Sequence, residues 1–281
     1  MSLSINTNIA SIDAQRNLSG SQSSLATSMQ RLSSGLRINS AKDDAAGLSI
    51  AERMNAQVRG MNVAIRNSND GISLSQTADG ALAQVGNSLQ RMRELAVQAR
   101  NSTNSSSDKD SLNKEFSQLQ SEIQRVLGGT TFNGKAILGS DAGTLNFQVG
   151  ANTTTNDTVA ISTTNMTQDA KITAVTGSAS VIDSTADATA IGTVIDNIDT
   201  AINDVNDTRA TYGATQSRFD SIISNLQSGV ENQTAARSRI MDADFASETA
   251  NMSRANVLQQ AGTAMIAQAN QQPSQVLSLL R

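Results

Sequence analysis

The sequence contains no cysteine and no histidine among its 281 residues. Disulfides, cysteine or histidine nucleophiles, histidine general bases and the zinc sites built from these side chains are therefore excluded. The metalloprotease type of active site needs a metal-binding histidine motif and is excluded for the same reason. We expect a protein with no catalytic, metal-binding or cofactor-binding residues.

Aromatic residues are also scarce, at 2% of the chain with no tryptophan. This is too few for the core of a large globule and is typical of a rod whose core is one seam wide. The only proline is Pro273, so almost the whole chain lacks the strongest helix breaker. Composition therefore predicts long helices.

Strong charge and long apolar runs are missing as well. The 21 basic and 25 acidic residues give a net charge of −4, which indicates neither a nucleic acid nor an acidic membrane as partner. No apolar run approaches the length of a membrane span, so we expect no membrane insertion. The N-terminal sequence has neither the basic nor the apolar region of a cleaved signal peptide.

The strongest pattern that is present covers residues 191–240, where large apolar side chains recur at alternating steps of four and three. This period is that of a supercoiled helix with one narrow apolar seam. At 1.5 Å per residue the helix would be roughly 75 Å long, and the seam needs a partner along that length. We assign to the seam Ile195, Ile198, Ile202, Val205, Tyr212, Phe219, Ile223, Leu226 and Val230.

Three further segments have helical spacing. The apolar spacing in residues 42–100 predicts a second long helix, and that in residues 108–127 predicts a third. Ser107 and Asp110 have the spacing of a capping box at the start of the third helix. Residues 1–41 carry only short apolar groups and would be a marginal helix without a partner. Packing must offset the cost of the glycines in the second helix, roughly 1 kcal/mol each; they are Gly60, Gly71, Gly80 and Gly86.

The middle of the chain has a different character. Alternating apolar residues at 145–149 indicate a strand, and Asn133-Gly134 indicates a turn. Short β-like pieces follow at 159–161 and 172–175, within sequence rich in threonine, serine and asparagine. We interpret residues 139–190 as a small, partly β insert.

These segments predict a mainly α fold. The N- and C-terminal arms form a long antiparallel helical bundle or coiled coil, with a small β-containing central insert. Residues 1–41 and 241–281 form a terminal helical domain, and residues 42–138 and 191–240 form a helical bundle domain.

Two acidic clusters are candidate ion sites. Asp43-Asp44 and Asp242 with Asp244 resemble carboxylate pairs, but neither has the glycine or the ligand ladder of a calcium loop. We therefore interpret these carboxylates as residues that cap or break helices where domains meet.

Several long motifs in consistent order resemble bacterial flagellin. They are SLSINTNIASIDAQRNL, MQRLSSGLRINSAKDDAAGLSIAERM, LQRMRELAVQARNSTNS, TTFNGKAILG, ARSRIMDADFASETA and QANQQPSQVLSLLR. The resemblance covers residues 1–138 and 195–281. The middle, where flagellins vary most, does not contribute. The chain resembles short flagellins that have little beyond the terminal-helix domain and the helical domain next to it.

The resemblance implies a structural subunit that leaves the cell unfolded through the flagellar type III apparatus. It would polymerise with copies of itself into the extracellular flagellar filament, with its termini lining the inner tube and the insert at 139–190 facing solvent. Implied partners are a flagellar export chaperone, the filament cap and the hook-associated junction proteins. A hook–filament junction protein is the alternative, since it shares the terminal helices without forming the bulk filament.

The resemblance also implies contact residues. Gln90, Arg91, Leu95 and Glu115 match the contact for the Toll-like receptor that senses flagellin, although Met92 replaces the usual small branched residue. On the residues alone, this is an ordinary solvated helix face. The apolar C-terminus implies inner-tube packing, chaperone binding and contact with a cytosolic innate sensor, where a plain helix end is the alternative; its residues are Val276, Leu277, Leu279 and Leu280. The Ser/Thr-rich stretch 151–168 is either a flexible loop or an O-glycosylation surface.

Overall fold

The computed structural model describes residues 7–278 and the side chains of residues 7–271. The predicted mainly α fold with a small β region is confirmed. The elements are α1 (Ile9–Ser34), α2 (Ala45–Ala99), α3 (Ser106–Gly129), β1 (Thr131–Phe132), β2 (Lys135–Ala136), β3 (Thr144–Gln148), β4 (Thr158–Ser162), α4 (Ala170–Thr176), α5 (Ala188–Met241) and α6 (Phe245–Ser278).

The chain divides into two compact units. We call Met1–Ala56 with Glu231–Arg281 the terminal unit, and Gln57–Val230 the central unit. The terminal unit extends further along the chain than residues 41 and 241, the bounds expected for the terminal domain. The reason is local packing, since Ala51 of α2 and Met241 of α5 are buried together with Ile38.

The ends of the helices follow from side-chain caps. The Asn8 side chain accepts the Ser11 N–H at the start of α1, and Gly35 ends that helix at φ 71°, a left-handed conformation that suits glycine. The capping box of α3 pairs Ser105 with Asp108. The predicted pairing of Ser107 with Asp110 was wrong by two residues, because Asp110 instead accepts the Ser184 N–H at 2.9 Å.

Two antiparallel strand pairs occupy the middle of the chain. Strands β1 and β2 are joined by Asn133-Gly134 at φ 50° and 78°, which suits a two-residue hairpin turn and confirms the predicted turn. Strands β3 and β4 pair Leu145 with Ile161 and Phe147 with Val159, which confirms both predicted strands.

The β-like interpretation of residues 172–175 was wrong. This segment lies in helix α4, where the Asp169 side chain accepts the backbone N–H of Lys171 at the start of the helix. Ile172 and Val175 are both buried, and a separation of three residues places them on one face of a helix. Burial of this face outweighs the strand preference of the β-branched side chains.

The central unit has one continuous hydrophobic core. Helix α2 contributes Leu82, Leu89 and Met92, α3 contributes Phe116 and Ile123, and both strands of the longer pair contribute as well. Helix α5 lies along this core and supplies buried residues at every second turn; they are Ile191, Ile198, Val205, Tyr212 and Phe219. The partner that the long seam required is therefore within the chain.

One glycine of α2 is explained by this packing. A Cβ atom added at Gly71 would lie 2.7 Å from Cζ of Phe219, closer than two carbon atoms can approach. The fully buried Phe219 ring also meets Phe147 edge-on, with ring centroids 5.8 Å apart. The absence of a side chain at Gly71 thus allows an aromatic residue of α5 to lie directly on α2.

In the terminal unit, α1 and α6 pack side by side in antiparallel orientation. Asn8 donates to the Ala269 carbonyl at one end of the pair, and Arg31 forms an ion pair with Glu248 at the other. The predicted pairing of the two terminal arms is confirmed. The buried apolar cluster of this unit is small, comprising Ile38, Ala51 and Met241 with partial cover from Leu36, Leu48 and Ile240.

Candidate functional site

No described residues form a metal site, since no three acidic side chains lie close enough together to hold an ion. The acidic clusters act as caps instead. Asp43 accepts the N–H groups of Asn39 and Ser40, and these bonds lower the pKa of its carboxyl group. Asp44 accepts the Gly47 N–H at 2.8 Å near the start of α2. This agrees with the structural interpretation of the pair.

Asp242 and Asp244 have similar local roles. Asp244 accepts the N–H groups of Ala246 and Ser247 in the first turn of α6. Asp242 accepts the Ser238 hydroxyl at the end of α5.

No helix in the described part of the chain contains an apolar stretch of the length needed to span a membrane.

Two segments about two hundred positions apart are joined by backbone hydrogen bonds. We call residues 35–38 and 240–243 the terminal bridge. Arg37 donates its backbone N–H to the Met241 carbonyl and its guanidinium Nη2 to the Ile240 carbonyl, both at 2.7 Å. Ala243 donates to the Gly35 carbonyl at 2.9 Å. The last carbonyls of α5 are thereby satisfied. This role of Arg37 was not predicted from the sequence, in which Gly35 marks only the end of the preceding helix.

The surface of the terminal unit carries most of the exposed apolar side chains. Of the ten large apolar side chains exposed in the described part of the chain, only Val63 and Val97 lie in the central unit. The others are Ile9, Ile12, Met29, Ile50, Phe245, Val257, Leu258 and Met265. Seven of these eight are on α1 or α6. Such a surface is characteristic of an interaction site.

The contact between α1 and α6 is built largely from small and polar residues. Ser11 is buried and donates its hydroxyl to Oδ1 of Asn270 at 2.9 Å. Ser28 is buried as well. Gly262 faces Leu18, and a Cβ atom there would lie 3.2 Å from Cδ1 of that leucine. The inner faces of the pair therefore hold the helices together with little apolar burial.

Arg91 connects α2 to α3 at the surface of the central unit. Its Nε donates to Glu115 at 2.8 Å and its Nη1 to Glu94 at 2.9 Å. These two carboxylates raise the pKa of Arg91. Gln90, Arg91 and Glu115 are all exposed. Because the pairs are in contact with water, they contribute little stability and leave the charges available to a partner.

Leu95 does not share this surface. Its side chain is 1% exposed and belongs to the core beneath the arginine. Leu95 is therefore corrected from a surface contact to a buried residue that supports the α2 face. The family resemblance had grouped Leu95 with Arg91, and a match of sequence motifs does not decide whether a side chain is exposed.

The predicted seam of α5 is buried unevenly. Ile198, Val205, Tyr212 and Phe219 are buried, whereas five seam residues are half-buried: Ile195, Ile202, Ile223, Leu226 and Val230. Val194 and Ala201, outside the predicted seam, are buried. The core face of α5 is therefore broader than a strict coiled-coil seam and is turned toward Val194.

Tyr212 is unusual among these residues. Its side chain is buried and its hydroxyl has no hydrogen-bond partner. Burial raises the pKa of the Tyr212 phenol to about 12.

The predicted apolar contact residues at the C-terminus lie outside the described part of the structure. The side chains of Val276 and Leu277 are not described, and Leu279 and Leu280 lie beyond the last described residue.

Two family models match the chain. The bacterial flagellin N-terminal helical region matches residues 5–144 and the bacterial flagellin C-terminal helical region matches residues 195–280. The chain belongs to the bacterial flagellin family. Flagellin from Halalkalibacterium halodurans is 46% identical over 277 residues, covering 99% of both chains. Flagellin from Bacillus subtilis is 43% identical over 304 residues with the same coverage.

A solved structure agrees with this assignment. The crystal structure of Bacillus cereus flagellin has 35% sequence identity and a TM-score of 0.50, covering 61% of this chain and 94% of that one. The flagellin resemblance seen in the sequence is thereby confirmed. This flagellin is a structural subunit of the extracellular flagellar filament, self-associating and not an enzyme.

Proposed function

We propose that this flagellin polymerises through the exposed faces of α1 and α6. The observation that carries the proposal is the set of seven exposed large apolar side chains on these two helices, in a unit with a very small internal core. Burying one large apolar side chain contributes about 1.5–3 kcal/mol. A contact between subunits supplies the burial that the terminal unit does not provide for itself.

We assign each region of the chain to a place in the filament. Residues 1–41 and 241–281 line the inner tube of the filament, residues 42–138 and 191–240 form the helical domain around it, and residues 139–190 face solvent. Marginal helices of this kind are also compatible with passage through the export apparatus in an unfolded state. The support for export and for this arrangement is the family resemblance together with the apolar surface.

The assembly surface is tested by a pair of neighbouring substitutions on α6. Leu258→Gln removes an exposed apolar side chain while keeping a good helix former, so the monomer should remain folded. We expect the critical concentration for filament formation to rise several-fold, measured by sedimentation after seeding. Asn256→Gln introduces the same side chain at an exposed polar position and should leave the critical concentration unchanged. Equal effects would contradict the proposal.

The C-terminal residues Val276, Leu277, Leu279 and Leu280 are proposed to pack in the inner tube and to bind the export chaperone. A chain lacking residues 276–281 should keep its central unit folded, by circular dichroism, but should fail to extend seeds. Polymerisation at the normal rate would exclude the inner-tube role.

Electron microscopy separates bulk filament formation from the alternative. Long filaments growing from seeds, and growing again when the filament cap protein is supplied, support the filament subunit. Short oligomers that stop growing would instead indicate a hook–filament junction protein.

A second function is proposed for the surface around Arg91. Gln90, Arg91 and Glu115 are exposed together, and the arginine is held between two carboxylates across α2 and α3. By family resemblance, this is the surface that a host Toll-like receptor would contact, with Leu95 supporting it from below. The cytosolic flagellin sensor would instead contact the C-terminal residues.

The receptor proposal has a matched control. Arg91→Ala should abolish receptor activation in reporter cells. Arg125→Ala removes an exposed arginine that is likewise paired with a carboxylate, Glu122 of α3. This variant should still activate the receptor. Activation by the Arg91 variant at the same protein concentration as the parent would contradict the proposal.

A further inference from the structure

Few types of oxidisable side chain are present in this sequence. It has no cysteine, histidine or tryptophan, and its only tyrosine, Tyr212, is buried. The remaining oxidisable groups are the thioethers of nine methionines. Thioethers are converted to sulfoxides by mild oxidants, and exposure determines which ones react.

Exposure separates the methionines sharply. Met29 of α1 is 57% exposed and Met265 of α6 is 60% exposed. The other methionines in the described part of the chain are half-buried or buried: Met54, Met61, Met92, Met166, Met241 and Met252. In the described part of the chain, the two exposed thioethers therefore both lie on the helix pair that carries the exposed apolar surface.

The position of Met265 connects it to that surface. It follows Leu258 by seven residues, which places the two side chains on one face of α6 two turns apart. Leu258 is itself 51% exposed. Any partner helix that covers Leu258 along this face must also cover the thioether.

We propose that Met29 and Met265 are two separate oxidation-sensitive positions, one on each helix of the pair, at which hydroperoxides block assembly of the subunit. The proposal rests on the proposed assembly surface. In the reaction, a sulfur lone pair attacks one oxygen of hydrogen peroxide, an S–O bond forms and the O–O bond breaks. Hydroxide leaves and takes the proton from the transferred oxygen. Sulfur is oxidised by two electrons, and the products are sulfoxide and water.

The physical effect is a change of polarity at a surface that must lose water. A sulfoxide is a strong hydrogen-bond acceptor, and burying it against apolar side chains leaves that acceptor unsatisfied. The monomer tolerates the change because both side chains are already in water. Methionine sulfoxide reductases reverse the reaction, so the block would be reversible.

The experiment treats the full-length monomer with hydrogen peroxide and maps sulfoxides by peptide mass spectrometry before seeding. Met29 and Met265 should be oxidised first, and the fully buried Met92 and Met166 should remain reduced. The critical concentration should then rise about tenfold, the usual cost of burying one polar group with incomplete hydrogen bonding. Circular dichroism should show unchanged helix content.

Leucine variants identify the responsible residues. The double variant Met29→Leu, Met265→Leu should give equal critical concentrations before and after peroxide, each compared with its own untreated sample. Met54→Leu replaces a half-buried methionine and should remain sensitive. Sensitivity in the double variant would overturn the inference.

Two other outcomes are distinguishable. If treated and untreated protein polymerise alike despite mapped sulfoxides, only this inference fails. If untreated protein forms no filaments from seeds, the proposed assembly fails and the inference fails with it.

Discussion

In the central unit, large side chains from α2, α3 and α5 enclose one another, whereas the terminal unit carries eight of the ten exposed large apolar side chains in the described part of the chain. Both units use the same kind of helix, rich in small polar residues and interrupted by glycine. They differ in what covers those helices. The central unit has a third helix and a strand pair against its long helices, and the terminal unit has two helices and a small cluster.

The comparison suggests a division of roles. A unit that is complete in the monomer provides a stable body, and a unit that is incomplete reserves its apolar surface for copies of itself. Stability in a folded chain is distributed unevenly for the same reason, and segments with few buried contacts open most readily.

The largest effect expected from this difference is in hydrogen exchange of the monomer. Amides of α1 and α6 should exchange more than about a hundredfold faster than those of α2 between Leu82 and Met92, because opening the terminal helices exposes little additional apolar surface. In filaments the difference should shrink. Equal protection of both units in the monomer would remove the basis of the comparison.

Phe219→Ala should produce the next largest effect. The ring is fully buried against Gly71 and Phe147, so its loss should destabilise the central unit by roughly 3–5 kcal/mol. Ser221→Ala, at an exposed position of the same helix, should change stability by less than about 0.5 kcal/mol. Denaturant melts below the polymerisation threshold measure both. Similar shifts for the two variants would mean that α5 does not present a single core face.

Two glycines of α2 sharpen the comparison within one helix. Gly71→Ala should be destabilising by about 1–2 kcal/mol, because the new methyl group meets the Phe219 ring and overpacking outweighs the gain in helix propensity. Gly80→Ala has open space around the new Cβ and should be stabilising by up to about 1 kcal/mol. Thermal melts of the two variants should therefore move in opposite directions. Shifts of the same sign would show that the ring yields to the methyl group.

The smallest effect is expected for Tyr212→Phe. The buried hydroxyl has no partner, so its removal should leave stability at neutral pH within about 0.5 kcal/mol or raise it slightly. Burial raises the pKa of the phenol to about 12 in the folded state, against about 10 in the unfolded chain. The unfolded state therefore ionises first, and stability should fall as pH rises from about 10 to 12.

The phenylalanine variant should lose less stability over this alkaline range, as measured by denaturant midpoints at several pH values. An identical alkaline decline in the two proteins would indicate that Tyr212 ionises equally in both states.

Long-range periodicity made the helices predictable. Steps of four and three over residues 191–240 located α5 to within a few residues of Ala188 and Met241. Alternation of apolar residues located β3, and a short β-like run located β4. The helical pattern repeats many times, so a single exception does not hide it. The need of residues 1–41 for a partner also followed from sequence, because their apolar groups are too short to be buried alone.

Short features were less predictable, for physical reasons that differ from case to case. Residues 172–175 have β-branched side chains but lie in α4, since tertiary burial of Ile172 and Val175 decides the conformation. Serines at 105, 106 and 107 compete for one cap, and the sequence does not rank them. Leu95 was grouped with surface contacts by resemblance alone, and it is buried because a helix that packs against two partners has a wider buried face than one seam predicts.

The terminal bridge has a consequence for how freely the middle of the chain can vary. The side chain of Arg37 and the carbonyl of Ile240 are 203 positions apart, so forming this contact closes a loop of that length. The entropic cost of closure grows only with the logarithm of loop length, about 0.6 kcal/mol for each doubling. Doubling the intervening sequence would therefore weaken the bridge less than losing a single helix cap, which is typically about 1 kcal/mol. Insertions between the arms therefore cost little free energy, and the middle of the chain can change in length while the same terminal contacts are kept.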